Sequence, residues 1–230
     1  MRNLRRLILT EDFIATHHLS TEPPPPDSLF WTMWNTWLSV AKEALATGFV
    51  QSIKNGTLDP TVYGSFNVSD AYYCFNGAKD YHTAAHYAKD PVLKAFLLEK
   101  FASYEKYNVA FPRTWHVRDG SSIVPMAVTK EYSDFEREIA KDTCPIYTLV
   151  CMIPCEYLWA WLGAELAPPT QGNLYASWIT GNDDPSGAYA MGNFLDYFQR
   201  TYPNELDPAR ATEIYGKAMK FECQNFKAAM

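Results

Sequence analysis

Apolar side chains recur at helical intervals over most of the chain. After Pro60, apolar and aromatic residues stand at positions 62, 63, 66, 73, 77, 81, 84 and 85, which places them roughly on one stripe of a helix. No segment shows the sustained two-residue alternation, bounded by turn residues, that is typical of a β-hairpin. The pattern predicts helices over residues 29–54, 60–88, 91–109, 130–141, 144–166, 172–181, 187–201 and 208–228, with a loop over 110–127.

Asp-Pro pairs mark the starts of three of these segments, at Asp59-Pro60, Asp90-Pro91 and Asp207-Pro208. An aspartate oxygen can accept hydrogen bonds from the free amides of a first helical turn, and proline has the backbone angle that this turn needs. Because every predicted element is a helix, the sequence indicates an all-α, single-domain helical bundle.

The first 28 residues differ from the rest. The prolines at 23–26 form a run that predicts a stiff, extended connector, so we divide the chain into a peripheral extension over 1–28 and a helical domain over 29–230. The early apolar run, Leu7–Leu9, is too short for a secretory signal. No stretch approaches the ~20 apolar residues that span a bilayer. We therefore expect a cytoplasmic protein that does not bind membranes.

Composition narrows the possible partners. Apolar residues make up 47% of the 230 residues and charged residues 20%, which is typical of a globular domain. Aromatic residues reach 15% and favour a pocket lined by flat rings. The net charge is 20 − 26 = −6, so the protein as a whole does not attract a phosphate backbone, and nucleic acid is not an expected partner.

The cysteines and histidines do not form a metal-binding pattern. Five cysteines without a CxxC pair indicate reduced thiols in an intracellular compartment. Cys144, Cys151 and Cys155 are spaced to share one helix face, where small apolar fillers are a better interpretation than metal ligands. His82 and His86 lie one turn apart without an adjacent glutamate, which favours a solvated or core-edge pair. We expect no metal and no cofactor.

Three residues could carry chemistry. Cys155 lies in the run Pro154-Cys155-Glu156-Tyr157-Leu158-Trp159, where a thiol is either an inert core filler or a nucleophile inside a pocket. Asp70 and Glu222 both lie among aromatic or apolar neighbours. Each carboxyl is either solvated, or buried with a raised pKa.

The order of several short motifs resembles the TenA/thiaminase II family. The matching segments run from about Phe49 to Phe226, roughly three-quarters of the chain, and the ordered set is more specific than any one of its members. They are Gly56-Thr57-Leu58, Ser69-Asp70-Ala71-Tyr72-Tyr73, Pro154–Trp159, Gly163-Ala164-Glu165-Leu166, Tyr175-Ala176-Ser177-Trp178-Ile179 and Phe221-Glu222.

This resemblance implies a haem-oxygenase-like bundle without haem, assembled as a homo-oligomer (a tetramer or a dimer), with a pocket for an aminopyrimidine. By position, Cys155 would be the nucleophile and Glu222 the general acid and base. Asp70 would hydrogen-bond the pyrimidine nitrogen and amino group.

The resemblance also assigns residues to the pocket wall. Tyr73 would border the pyrimidine ring, and Tyr132 would contact the region of the cysteine. Trp159 and Asn182 stand where the family usually has pocket tyrosines, so they would line a wall of altered chemistry.

Two functions follow. The first is a hydrolase that uses a cysteine nucleophile on an aminopyrimidine from thiamin or its breakdown products. The alternative is a non-catalytic protein that binds a small aromatic ligand on the same fold. An oxidoreductase of the coenzyme-maturation branch would need a histidine-rich cavity, and the chain has only five histidines.

Overall fold

The computed structural model describes residues 20–230, which are helical throughout with short connections and contain no strand. A 3₁₀ turn at Gly120–Ser122 lies between α5 and α6. The helices are α1 (Leu29–Leu45), α2 (Gly48–Asn55), α3 (Pro60–Tyr87), α4 (Pro91–Asn108), α5 (Phe111–Thr114), α6 (Ala127–Ala140), α7 (Ile146–Leu166), α8 (Ala176–Gly181), α9 (Ser186–Thr201) and α10 (Pro208–Ala228). The predicted all-α fold class is confirmed.

Helix α7 is the centre of the bundle. Helices α6, α8, α9 and α10 pack on it, and α3 touches it at fewer positions. Helix α3 pairs in turn with α4 and α6. Burial of its apolar residues on nearly every side is the main source of stability for such a helix. This packing brings together the parts of α3, α7 and α10 that carry Asp70, Cys155 and Glu222.

The expectation that no segment could span a bilayer is wrong by length and composition. Helix α7 has 21 residues and is apolar enough to qualify. Most of it is buried inside the bundle, as is usual for the core helix of a globular domain. The apolar character of α7 is therefore explained by its contacts with neighbouring helices.

The Asp-Pro pairs begin helices as predicted. The Asp59 carboxylate accepts from the Thr61 amide at 2.7 Å, and the Asp90 carboxylate accepts from the Leu93 amide at 2.7 Å. Asp207 accepts from the amide two residues on at 2.9 Å. Each bond satisfies an amide that has no partner within its own helix.

Several predicted boundaries are wrong. Helix α6 begins at 127 and not at 130, and α8 begins at 176 and not at 172. The segment 29–54 is divided because Thr47 takes an extended conformation and its hydroxyl accepts from the Val50 amide, which caps α2. The predicted loop over 110–127 contains the short helix α5 and the 3₁₀ turn. At Thr47 a hydrogen bond to a polar side chain overrides the helical periodicity. In 110–127, Pro112 lies in the first turn of α5, where proline is tolerated, so it does not prevent this helix.

The predicted cysteine face is also wrong at one end. Cys144 precedes α7, and the amide of Cys144 donates to the Asp142 carboxylate at 2.9 Å in the turn before that helix. The Cys144 thiol lies 3.2 Å from the Glu205 carbonyl oxygen. Only Cys151 and Cys155 belong to α7.

Residues 20–28 contact the helical domain. Pro24 is buried, and its carbonyl oxygen accepts from the Trp31 indole at 2.8 Å. The Asn193 amide of α9 donates to the carbonyl oxygens of Ser20 and Glu22, each at 2.8 Å. The predicted extension over residues 1–19 lies outside the described residues, and the domain boundary at 28 stays a prediction.

Replacing Gly163 by alanine is expected to lower the free energy of unfolding by about 2 kcal/mol. A Cβ at this position would lie 2.9 Å from the carbonyl carbon of Asn182 and 2.9 Å from the carbonyl oxygen of Ile179. Backbone atoms cannot rotate away, so α8 would have to shift from α7. Urea denaturation measures the loss.

Gly64→Ala in α3 is the matched control, because a Cβ there meets no atom within 4 Å. Alanine is the better helix former, so this variant is expected to be about 0.5–1 kcal/mol more stable than the wild type. Equal stabilities for the two variants would contradict the close contact at Gly163.

Candidate functional site

A cavity of about 370 Å³ opens between α3, α4, α7 and the α8–α9 connection. It is the size of a small-ligand pocket. The lining combines rings, two thiols and several ionisable side chains: Asp70, Cys74, Lys100, Ser103, Tyr104, Tyr107, Cys155, Glu156, Trp159, Ala160, Gly181, Asn182, Asp184, Ser186 and Gly187. The same cavity is therefore lined by four residues predicted from the sequence: Asp70, Cys155, Trp159 and Asn182.

A second, smaller cavity adjoins the first and shares Asp70 and Trp159 with it. Glu222 and Tyr73 line this inner cavity. The two carboxyl groups and the thiol thus line two adjoining cavities, although they lie on three helices far apart in the sequence.

Hydrogen bonds across the bundle fix the inner cavity. The Ser69 hydroxyl of α3 donates to the Thr129 hydroxyl of α6 at 2.9 Å, and Thr129 donates to Asn225 Oδ1 of α10 at 2.8 Å. All three side chains are buried. This series of hydrogen bonds links α3, which carries Asp70, to α10, which carries Glu222.

Cys155 is half-buried, and its sulfur lies 3.9 Å from the Tyr104 hydroxyl. Burial raises the pKa of the thiol well above its ordinary value, and the carboxyls of Glu222 and Asp70 add to the rise. The thiol is therefore protonated in the free protein at neutral pH, and a nucleophilic role requires a base.

Asp70 and Glu222 can both exchange protons near neutral pH. Burial raises the pKa of Asp70 to about 7, and the same cause raises the pKa of Glu222 to about 7. The Trp159 indole nitrogen donates to Glu222 Oε2 at 3.1 Å and opposes the rise. Because each carboxyl disfavours the charge on the other, the two titrate as a pair.

Tyr73 and Tyr132 hold different positions. The Tyr73 hydroxyl lies 2.6 Å from Glu136 Oε1, and its ring lines the inner cavity. Tyr132 is fully buried, with its ring 4.8 Å from that of Tyr73 and stacked on Phe221 at 5.3 Å. Tyr132 lines neither cavity, so it supports the wall from behind.

Trp159 and Asn182 shape the wall in different ways. The Trp159 ring packs against Trp178 and Phe226, with centroids 5.4 and 5.5 Å away. The Asn182 side-chain amide donates to the Trp178 carbonyl oxygen at 2.7 Å and so engages the end of α8. An indole and an amide thus stand where the resemblance leads one to expect phenolic hydroxyls.

The structure adds polar residues that sequence reasoning missed. Lys100 and Glu156 form an ion pair at 2.8 Å in the cavity wall, with side chains only 8% and 20% exposed. Glu136 is buried at 1% exposure. Two signals could have pointed to them, since Glu136 follows Tyr132 by one helical turn and Glu156 follows Cys155 directly.

No group of three or more metal-ligating side chains occurs within residues 20–230. His82 and His86 are both exposed on α3, as expected for a solvated pair.

Stability is expected to fall as the pH rises from 5 to 8. Folded Glu222 keeps its proton until about pH 7, whereas the unfolded chain releases it near the ordinary value of 4.5. The unfolded state binds fewer protons over this interval, so its free energy falls relative to that of the folded state as the pH rises. The share of Glu222 is about 3 kcal/mol.

Urea denaturation of the wild type and of Glu222→Gln at pH 5 and pH 8 checks this. The variant has no carboxyl to titrate at this position, so its loss of stability over the interval should be smaller by that share. Parallel losses in the two proteins would show that Glu222 titrates as if exposed.

No family model and no curated protein matches the sequence. Solved structures do match. A TenA family transcription regulator from Silicibacter sp. TM1040 has a TM-score of 0.74 and 16% identity, with 89% of this chain and 97% of that chain covered. A TenA homologue from Pyrococcus horikoshii OT3 has a TM-score of 0.68 and 18% identity, covering 88% and 98%.

A third match, from Sulfolobus solfataricus P2, is provisionally named a TenA-like thiaminase. It has a TM-score of 0.66 and 15% identity, with 86% of this chain and 94% of that chain covered. Likeness at these identities is a likeness of fold, and it extends over nearly the whole described chain. The protein therefore has the all-α, haem-oxygenase-like fold of the TenA proteins.

Proposed function

We propose that the protein is a TenA-like hydrolase that acts on an aminopyrimidine derived from thiamin or from its breakdown products. The observation that carries the proposal is the convergence of Cys155, Asp70 and Glu222 on two adjoining cavities. A thiol, two carboxyls that exchange protons near neutral pH, and aromatic walls suit a flat, electron-poor heterocycle.

The chemistry would proceed in two stages. A carboxylate, Glu222 or Asp70, takes the proton from the Cys155 thiol, and the sulfur bonds to a ring carbon of the pyrimidine. The bond to the leaving amine breaks, and a protonated carboxyl supplies the proton that the amine takes with it. Water then adds its hydroxide to the carbon that the amine left and its proton to the carboxylate. The carbon–sulfur bond breaks to release the thiolate, and the carboxyl returns its proton to the sulfur, which restores both the thiol and the carboxylate.

Asp70 would orient the ring. A half-buried carboxyl can accept a hydrogen bond from the exocyclic amino group and, when protonated, donate one to a ring nitrogen. Its pKa of about 7 allows either state at neutral pH. Trp159 would cover one face of the ring, because its indole is held by Glu222 and by its aromatic neighbours.

One observation favours the alternative of a non-catalytic binding protein. The thiol of Cys155 is held protonated by its burial, and no histidine lines either cavity within residues 20–230. A site that binds a small aromatic molecule without attacking it would have the same walls and an equally unreactive thiol.

Incubation of the wild type with an aminomethyl-aminopyrimidine separates the two functions. The hydrolase is expected to release ammonia and the hydroxymethyl product over many turnovers, whereas the binding protein would show saturable binding by calorimetry without product. Thiamin serves as a second substrate in a parallel assay. Absence of both turnover and binding for the two compounds would contradict the aminopyrimidine assignment.

A further inference from the structure

The ion pair between Lys100 of α4 and Glu156 of α7 is a part of the cavity wall that the proposed hydrolysis does not use. The Lys100 ammonium lies 2.8 Å from Glu156 Oε1 and donates a hydrogen bond to Oε2 at 2.9 Å. With side chains 8% and 20% exposed, it is the least exposed ion pair within residues 20–230. Burying two charges is costly even when they are paired, so a pair held in the wall of a cavity points to a role in what the cavity binds.

The Glu156 carboxylate is also held in place by the start of α9. A Cβ at Gly187 would collide with Glu156 Oε2 and would lie 3.6 Å from the Lys100 nitrogen. A side chain at position 187 would therefore displace the carboxylate from the ammonium, whereas glycine leaves room for it. Packing as well as charge thus keeps the two side chains of the pair together, where α4, α7 and the first turn of α9 meet.

The pair lies at the outer end of the cavity system. Lys100 and Glu156 line the larger cavity only, whereas Asp70 also lines the inner one. On α4, Lys100 precedes Tyr104 by one helical turn, about 6 Å along the axis, and the Tyr104 hydroxyl lies 3.9 Å from the Cys155 sulfur. A ring bound between Asp70 and Cys155 therefore has room to extend a polar substituent towards the pair.

The larger cavity offers no cation that lacks a counter-charge. Among residues 20–230, Lys100 is the only basic residue that lines it, and Glu156 neutralises this charge. The other carboxyls of the lining, Asp70 and Asp184, add negative charge when they are ionised. A phosphate would meet these carboxylates at close range, and repulsion between like charges is strong where water has little access. A hydroxyl or an amine would not be repelled, because it can donate to a carboxylate.

We propose that Glu156 selects the ligand by its charge: the carboxylate occupies the Lys100 ammonium, so that the outer cavity accepts a hydroxyl or a cationic amine and rejects a phosphate. Without this carboxylate, Lys100 would be a little-exposed cation that faces a cavity, which is a site that attracts anions. The identity of the ligand rests on the proposed function, whereas the rejection of anions does not. If both hold, the substrate carries no phosphate, and a reaction that removes phosphate must supply it from any phosphorylated precursor.

Calorimetry on the full-length protein with thiamin and thiamin monophosphate tests the selection. We expect the wild type to bind thiamin about tenfold or more tightly than the monophosphate. Glu156→Gln keeps the shape of the side chain and an oxygen that can accept from Lys100, but it removes the negative charge. This variant is expected to bind the monophosphate about tenfold more tightly than the wild type does. Its affinity for thiamin, which is a cation, should not rise, and an equal rise for the two compounds would overturn the proposal.

Inorganic phosphate is the second probe, because its binding requires no pyrimidine site. Its phosphorus-31 NMR line should stay sharp with the wild type and broaden with Glu156→Gln. The double variant Lys100→Met/Glu156→Gln should leave the line sharp again, since it has no cation at this place. Broadening that survives in the double variant would show that phosphate binds elsewhere, and it would overturn the proposal, as would a sharp line with Glu156→Gln.

Glu99→Gln is the matched control. Glu99 is adjacent to Lys100 in the chain and makes the same change of net charge possible, but it lines neither of the two cavities. Its affinities for phosphate and for thiamin monophosphate should stay within about twofold of the wild type. Equal gains in Glu99→Gln and Glu156→Gln would mean that the overall charge of the protein sets the affinity, and the selection by Glu156 would be refuted.

The wild type keeps the test decisive if Glu156→Gln does not fold, as judged by circular dichroism. Equal wild-type affinities for thiamin and its monophosphate, or a phosphate line broadened by the wild type, would overturn the proposal. A sharp phosphate line and a preference for thiamin would support it. If neither the wild type nor a variant binds thiamin or its monophosphate, thiamin is removed as a ligand of the proposed function, and the phosphate line still decides the role of Glu156.

Discussion

Replacing Cys155 by serine is expected to reduce turnover of an aminopyrimidine by about a thousandfold or more. The serine hydroxyl is much less acidic than a thiol, and the carboxyls beside it have pKa values of about 7, so they are too weak as bases to ionise it. The oxygen is smaller than the sulfur, so the cavity keeps its shape. Steady-state kinetics gives kcat, and calorimetry gives the affinity for the substrate.

The affinity should change by less than about fivefold, because Asp70 and Trp159 still line the cavity. Cys144→Ser is the matched control. It makes the same chemical change at a half-buried cysteine that lies outside both cavities, and it should retain full turnover. An undiminished kcat in the Cys155→Ser protein would remove the nucleophile from the mechanism and leave only a binding site.

The helical order of the fold could be predicted from the sequence because its signals are local. Each Asp-Pro pair combines a capping oxygen with a preset backbone angle, and Asp59, Asp90 and Asp207 all cap helices. The break at Thr47 was missed because a single hydroxyl decides it within an otherwise continuous apolar pattern. A single capping hydroxyl gives only a weak signal in the sequence, although its hydrogen bond decides where the helix begins in the structure.

The candidate site was predictable only as far as its motifs are contiguous. The resemblance pointed to Asp70, Cys155 and Glu222, and the structure places all three around two adjoining cavities, while their roles stay predictions. Glu136 was missed because its significance depends on Tyr73, which lies 63 residues away along the chain. Contacts between distant segments are set by tertiary packing. The sequence alone therefore does not show that these two side chains meet.

The same limit explains Lys100. Its place between Glu99 and Phe101 of α4 gives no hint that the amine meets the carboxylate of Glu156, 56 residues later, in the wall of the cavity. Each charge of an ion pair with so little exposure loses most of its hydration, and only the attraction of the opposite charge compensates for this loss. Removing one member would leave a buried charge beside the candidate nucleophile, so the pair is part of the electrostatics of the site.

Replacing Glu222 by glutamine is expected to lower kcat about 10²–10⁴-fold while the affinity for the substrate changes little. The amide has the same shape, and its oxygen can still accept the hydrogen bond that the Trp159 indole gives to Oε2 at 3.1 Å. It cannot accept the thiol proton or return a proton to the leaving amine. Stopped-time assays at substrate saturation isolate kcat from binding.

The pH profile of kcat/KM distinguishes loss of the proton carrier from a damaged fold. Burial sets the pKa of Glu222 at about 7, and the Trp159 indole lowers it from a still higher value. The wild-type rate should therefore rise with pH through an inflection near 7 as the base forms. Trp159→Phe removes the donor but keeps the carboxyl, so its inflection should move to higher pH, whereas Glu222→Gln should lose the carboxyl's contribution altogether. An inflection that stays in place in Trp159→Phe and survives in Glu222→Gln would assign the proton transfer to Asp70 alone.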